Sequence, residues 1–478
     1  MRVVRVVVLC SMVSLLGTGD ARAQQTPLAG MFVRLFDLST INKTSTLPTG
    51  VVVVHEPHFI VGESLKETTR EMNVALAAQL ASFPLSSSSG GFSYTVNERG
   101  EVVPTSSTFG PAFAERAITI GRRKVNAGFS FQATNYKSFE GIDLESGRLS
   151  FIREHNDCCP AGANNPTAVT NLTPDFEKDL LRSNLSAKIE TRTSAFFANV
   201  GVTDRFDLGV AIPIVRVEMQ GTVDAHIIRT GSAATPTTHS FDGLGSDTLT
   251  LTDHGSATGI GDVLLRAKYN FLRDGASALA GGLEVRLPTG NKDDLLGTGA
   301  TQTRLSLIAS GEYGVFSPHA NVGYTFSKGE TSAAASNFQL DAATYQLQTV
   351  PNFNPSGVDL SVPDEINFTA GMSVGVTPRV TLGVDMVGRT IRDVARFELR
   401  DTSYANRAPG TPPTAAYVAT DEFSLKDAHG TLTTVLGVVG GKVNLGGAFL
   451  LNATVLFPMT KGGLKSKVTP VIGIDYVF

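Results

Sequence analysis

Charged side chains recur along this sequence two residues apart inside extended apolar stretches. They are Lys188, Glu190, Arg192, Arg216, Glu218, Arg266, Lys268, Glu284, Arg286, Arg304, Glu312, Asp385 and Arg389. Rings of charge facing a water-filled passage bind or filter solutes. Interleaved opposite signs on neighbouring strands also pair across the ladder and stiffen a wall, and mixed signs argue against a strongly ion-selective pore. Other chemistry has weaker support. The Gly-x-Ser-x-Gly pattern at Gly371–Gly375 needs a strand-to-helix elbow to expose its serine, and Ser373 falls in the middle of a predicted strand. Of the eight histidines, only His319 and His429 fall near predicted strand ends. Cys158 and Cys159 are adjacent, beside His155 and Asp157, which is a poor chelate compared with a two-residue spacer, so no metal is expected. Asp242, Asp247 and Asp253 lie in a Gly-rich stretch and read as solvated turn residues before they read as a calcium site. No phosphate loop or dinucleotide fingerprint occurs, and no cofactor is expected.

The elements that would position the charges are strands. Ten per cent Gly, 18% charged residues and 27 Phe, with no Trp, describe short strands and turns, and a net charge of −4 gives no footprint for nucleic acid. From Lys124 onward the period is two. At Gly261 to Phe271, Val263, Leu265, Ala267, Tyr269 and Phe271 face away from Asp262, Arg266, Lys268 and Asn270. Alternation of this kind demands one apolar and one polar environment. Twelve strands are predicted at 124–140, 181–203, 206–228, 259–272, 276–289, 302–314, 317–329, 364–377, 379–392, 421–440, 443–459 and 466–478. Short turns at 203–205, 273–275, 315–317, 377–379 and 440–442 alternate with long connections. Membrane barrels need roughly 9 to 11 residues per strand and keep this rhythm. A closed antiparallel transmembrane β-barrel of 12 strands is therefore expected, or of 14 if a hairpin at Phe92 to Val103 enters the wall. The apolar faces then meet outer-membrane lipid, with Tyr269, Phe271, Tyr313, Tyr324, Phe326, Phe457, Tyr476 and Phe478 as girdle residues. Pro213 and Pro288 are expected at bulges or near the rim.

The chain divides into three expected parts. Residues 1–23 have Arg2 and Arg5, an apolar run and Ala21-Arg22-Ala23, the pattern of a secretory signal peptide. Residues 24–121 form an N-terminal plug or periplasmic segment. Its helix spans Glu63 to Ser82, with Leu65, Met72, Leu76 and Leu80 on one face and Glu67, Arg70 and Glu71 on the other. Residues 122–478 form the barrel.

The last strand resembles the C-terminal signature of bacterial outer-membrane barrels, which implies that the barrel assembly machinery reads Ile474, Tyr476 and Phe478. Gly259-x-Gly261-Asp262, Lys268-Tyr269, Leu287-Pro288-Thr289-Gly290 and Leu296-Gly297-Thr298-Gly299 resemble the phenol-degradation MetA-pathway family of outer-membrane proteins over roughly residues 181 to 478. That resemblance implies transport of aromatic or other hydrophobic compounds. The expected function is a bacterial outer-membrane channel passing a small, hydrophobic or aromatic solute through a lumen occluded by Val51 to Phe83, with the charged set facing the lumen. A non-conducting structural or adhesive barrel is the alternative, and an outer-membrane lipase a third. Nothing in the sequence sets an oligomeric state.

Overall fold

The computed structural model describes residues 27–36, 45–46, 52–53, 63–81, 94–96, 102–104, 106, 108–111, 113–154, 179–229, 241, 245–331, 338–340, 347–349, 361–404, 417–426 and 429–477. Residues 1–23, expected as a signal peptide, and Cys158, Cys159, Asp242 and Phe478 lie outside them. Twelve antiparallel strands close on themselves: β1 Val125–Phe139, β2 Leu180–Gly201, β3 Phe206–Ile228, β4 in two arms Thr248–Ile260 and Val263–Asp274, β5 Ser277–Leu287 and β6 Ala300–Gly311. They continue as β7 Phe316–Gly329, β8 Glu365–Thr377, β9 Val380–Val394, β10 Gly430–Gly446, β11 Phe449–Pro458 and β12 Thr469–Val477. β12 pairs with β1, Ile474 opposite Phe129, which closes the ring. The hairpin Tyr94–Val96 with Val102–Pro104 pairs only with itself, so the wall has 12 strands.

Every strand carries large apolar side chains on its outer face: Phe131, Phe196, Ile212, Leu265, Leu283, Leu305, Val322, Ile366, Leu382, Val439, Val455 and Ile472 are one from each. An apolar belt continuous around the molecule is far larger than the few hundred Å² a soluble monomer exposes. Closure leaves no unpaired edge in hydrocarbon, so the belt and the ring together define a membrane wall. Tyr269, Phe271, Tyr313 and the Phe449–Tyr476 pair, 4.4 Å between ring centroids, lie toward the short-turn end; Phe326 and Phe457 lie toward the other. Leu305→Arg, in the belt, is expected to cost about 2–4 kcal/mol in unfolding titrations from lipid vesicles. Lys188→Ala is expected to leave the same titration within about 0.5 kcal/mol, as surface changes do.

Three predicted boundaries shift. The last internal turn is at Gly447-Ala448, since β10 runs straight through Gly440 and Gly441. A Cβ on Gly440 would approach Thr454 Oγ1 to 2.6 Å, so that glycine serves close strand packing, while Gly446 and Gly447 hold φ of +134° and +56° and make the turn. Residues 421–425, expected at the start of this strand, belong to Tyr417–Leu425, which pairs instead with Phe397–Tyr404 beyond the wall. β4 starts at Thr248, inside a stretch expected to be loop. Pro213 sits opposite the junction of the two β4 arms, where Ile260 pairs with Ile214 and Leu264 with Ala211, so three residues face two. This is a bulge, and the missing proline amide costs no ladder bond there.

Candidate functional site

The interior is built in three levels. At the long-loop end the inside is apolar. Leu185, Ala187, Ile189, Val217, Met219 and Val223 of β2 and β3 pack with Leu28, Met31, Phe32 and Leu35, and Met72 and Leu76 join the same cluster. The N-terminal residues come from α1 Met31–Leu35 with the turn before it and from α2 Glu63–Ala81. α1 was not expected. α2 is, and Met72, Leu76 and Leu80 are its buried face, but Glu71 is buried as well, not on an exposed face.

This apolar interior reverses the expectation for five charges. Lys188, Glu190 and Arg192 share a face of β2 with the exposed Phe196, and Arg216 and Glu218 share a face of β3 with the exposed Ile212. They point outward, above the lipid belt, where Arg216 Nε bonds Glu218 at 2.5 Å and Lys188 lies 3.1 Å from Glu190. The alternation is unbroken along both strands. The environments exchange: water lies outside these long strands and packed side chains lie inside.

At mid-height the remaining polar set does face inward. Arg266 Nε donates to Glu284 Oε2 at 2.7 Å, and Arg304 donates to the other oxygen of the same carboxylate. Arg286 follows two residues along β5, and Arg389 Nη1 lies 3.4 Å from Glu365 across the next pair of strands. These groups, with Lys268, Gln302, Thr325 and Asn367, line a chamber of about 210 Å³ whose other wall includes Phe113, Val387 and Leu436. A second cavity of about 420 Å³ lies under α2, bordered by Val74, Ala75, Ala78 and Gln79. Gln302 and Glu365 border both cavities.

At the short-turn end residues 108–111 and 113–120 cross the interior. Side chains from successive strands meet their backbone. The Phe109 amide donates to Thr381 Oγ1 at 3.0 Å, Phe113 to Asp385 at 3.3 Å, Ala117 to Ser310 Oγ at 3.1 Å and Ile120 to Asp207 at 3.1 Å. Lys442 Nζ donates to the carbonyls of Phe109 and Pro111, Lys268 Nζ to that of Arg116, and Asn270 Nδ2 to that of Ala117. The Arg116 side chain is fully buried, donates to Ser106 Oγ and the Thr108 carbonyl, and pairs with Glu312. Burial lowers the Arg116 pKa, against the pull of Glu312. Phe109 packs on Leu450 and Val477, Phe113 on Val438, Leu456 and Val471, and Ala117 on Ala278, Ala280 and Ile308. A crossing segment cannot join a ladder, so wall side chains satisfy its amides instead. Asp385 and Glu312, expected to face the lumen, hold this segment; Asp385 also takes a 2.6 Å bond with His319 Nε2, both side chains buried.

Sequence reading missed residues 108–120 because no period marks them. The glycine-rich motif has a visible structural role. Asp262 accepts from the amides of Gly290 (3.1 Å) and Thr298 (2.8 Å) and from Thr298 Oγ1 (2.9 Å), while Thr289 Oγ1 accepts from the Val263 amide and donates to the Gly261 carbonyl. The clasp folds the 290–299 loop over the barrel, where Leu295 and Leu296 enter the α1 cluster and the Asp293 carbonyl accepts from the Ala29 amide. A Cβ on Gly297 would reach Asp262 Oδ1 at 2.3 Å and Gly290 Cα at 2.8 Å. Ser373 is fully buried in the middle of β8. Among the described residues no cluster of His, Cys, Asp and Glu is arranged to hold a metal.

Lys465, in the Leu464–Ser466 connection beside β1, is buried and its pKa is pushed down to about 8, first by burial and then by Arg389, with Glu140 opposing. The unfolded amine titrates near 10.4. Below pH 8 both states carry the proton and folding bears the full burial penalty; between 8 and 10 the folded state releases it first, so stability rises with pH. Heat-modified gel mobility measured from pH 7 to 10 is expected to show the unfolding temperature climb through that window, with a flatter slope in Lys465→Met.

Residues 181–362 match the family model described as "Putative MetA-pathway of phenol degradation". No curated protein matches the chain. Among solved structures, an outer membrane channel from Pseudomonas putida F1 is 11% identical, with 76% of this chain and 98% of that one covered and a TM-score of 0.37. A FadL homologue of Pseudomonas aeruginosa (10%, 74% and 90%, 0.30) and the toluene transporter TbuX of Ralstonia pickettii (10%, 75% and 90%, 0.28) are also similar. The chain is a closed transmembrane β-barrel of the outer-membrane kind, and its residues 181–362 are similar to the MetA-pathway family of phenol degradation.

Proposed function

We propose that this barrel is a channel for small solutes, closed at its short-turn end by residues 108–120. One observation carries the reading: the cavity beneath α2 and the chamber are neighbours that meet at Gln302 and Glu365, and the crossing segment borders the chamber through Phe113 and Glu115, which supports a path along the barrel that ends at that segment. Short turns face the periplasm in single-chain barrels, which supports a periplasmic position for that segment. Arg266, Glu284, Arg286, Arg304 and Arg389 would contact the solute, whereas Lys268, Glu312 and Asp385 would hold the closure. Residues 24–121 then act as one N-terminal plug whose closing part is its last dozen residues, and the helix of the Val51 to Phe83 stretch lines the approach. The outward Ile474 and Tyr476 on β12 fit a strand read by the assembly machinery.

Single-channel current in planar bilayers tests the reading. The mature chain is expected to pass little or no current, a chain lacking residues 24–90 to behave the same, and a chain lacking 24–120 to pass steady current. Silence in all three, with heat-modifiable mobility confirming the folded barrel, would contradict the channel reading and favour a structural barrel that acts through its outer loops.

A further inference from the structure

The chamber is two-faced. On one side Arg266, Arg286 and Arg304 gather around the carboxylate of Glu284, and over the whole lining Arg266, Lys268, Arg286, Arg304 and Arg389 face Glu115, Asp207, Glu284 and Glu365, a net +1. On the other side Phe113, Val387 and Leu436 offer apolar surface continuous with Val438, Leu456 and Val471. The volume, about 210 Å³, is below the roughly 300–1,000 Å³ typical of drug-sized sites. Guanidinium groups match carboxylates bidentately, and an excess of charge in an enclosed space acts more strongly than it would in water. A mixed-sign wall would only stiffen the barrel if the signs balanced here; locally they do not.

Resting on the channel reading, we propose that the chamber is a binding site for a small carboxylate with a compact apolar body, the carboxylate on the Glu284-linked arginines and the body against Phe113 and Leu436. Such a ligand adds a fifth negative charge, which brings the lining to parity, and covers the apolar wall in one pose. A neutral ring satisfies only half of the site, and an inorganic anion only the other half.

The mature full-length protein, refolded in detergent, is to be examined at pH 7 by saturation-transfer NMR with benzoate, cyclohexanecarboxylate, phenol and acetate. Benzoate and cyclohexanecarboxylate are expected to bind at least tenfold more tightly than phenol or acetate. Arg304→Gln is expected to weaken benzoate at least tenfold while leaving phenol within a factor of two, and Arg286→Gln serves as the second variant should Arg304→Gln lose its heat-modifiable fold. Equal affinity for benzoate and phenol, or benzoate affinity unchanged in a folded arginine variant, would overturn the proposal. Reversal potentials of the chain lacking residues 24–120 under a sodium benzoate gradient separate the two claims. Current that favours benzoate supports both, and current without anion preference overturns the carboxylate site alone. Absence of current with benzoate binding intact overturns the channel reading alone.

Discussion

Arg116→Ala is expected to turn a nearly silent barrel into a conducting one without unfolding its wall. The side chain is fully buried beneath the chamber and serves three partners, Ser106, the Thr108 carbonyl and Glu312. Removing one member of a buried pair costs roughly 3–5 kcal/mol when both are enclosed. Glu312 is about one-third exposed, so water compensates part of the loss and about 2–3 kcal/mol is a fair expectation. The cost falls on the crossing segment, because Arg116 donates to the segment itself and reaches the wall through Glu312. A shift of that size changes an open-to-closed ratio roughly 30- to 150-fold. Open probability in planar bilayers reads it directly, and the temperature of gel-mobility change is expected to stay within a few degrees of the parent. A variant that conducts no more than the parent would mean that the segment is held by its remaining contacts or is not the barrier.

Asp262→Ala carries the second large effect, of a different kind. Its carboxylate is buried and accepts from two backbone amides and one hydroxyl across a bulge and a loop. Alanine leaves the two amides without that acceptor, while the Thr298 hydroxyl can still donate to the Ala300 carbonyl at 3.1 Å, and each unsatisfied buried group costs about 1–3 kcal/mol. A total near 3 kcal/mol is expected once partial hydration of the loosened loop is allowed for, since such losses are not additive. Asp262→Asn keeps one acceptor oxygen and is expected to lose about half as much. Unfolding from vesicles gives the magnitude. Faster proteolysis between Asn291 and Thr298 in the alanine variant would locate the loss in the loop, whereas uniform sensitivity would place it elsewhere.

How much of this was legible in the sequence follows from which environments leave a local mark. Lipid does. Leu265, Tyr269 and Phe271 alternate with Arg266, Lys268 and Asn270 because one side must be apolar and the other lines a chamber, and most strand limits could be read to within a few residues. A period of two says only that the two faces differ; it does not say which is inside. Where β2 and β3 rise above the belt, Leu185 and Ile189 turn inward to meet α1 while Lys188 and Arg192 meet water, with an unchanged pattern. Residues 108–120 left no mark at all. Their partners, Thr381, Asp385 and Lys442, are more than 250 positions away, and each reads locally as an ordinary polar residue on an alternating strand. The Gly261-Asp262 and Gly297-Thr298 motif lay between these cases. Its residues stood out by type and spacing, but the bonds among them depend on the loop folding back over the bulge.

The account stands on the crossing segment being the closure, and a reversible lock tests it most directly. Ala117 and Ser310 already meet, the Ala117 amide 3.1 Å from Ser310 Oγ, so Ala117→Cys with Ser310→Cys places two thiols across the segment and the wall. With Arg116→Ala to favour the open state, and Cys158→Ser and Cys159→Ser in a chain beginning at Gln24 to remove the other thiols, current is recorded before and after adding reductant to the oxidised protein. The account predicts silence while the bond holds and conduction once it is reduced. Equal current in both states, with the bond verified by mass, would show that solutes pass without moving residues 108–120 and would contradict it.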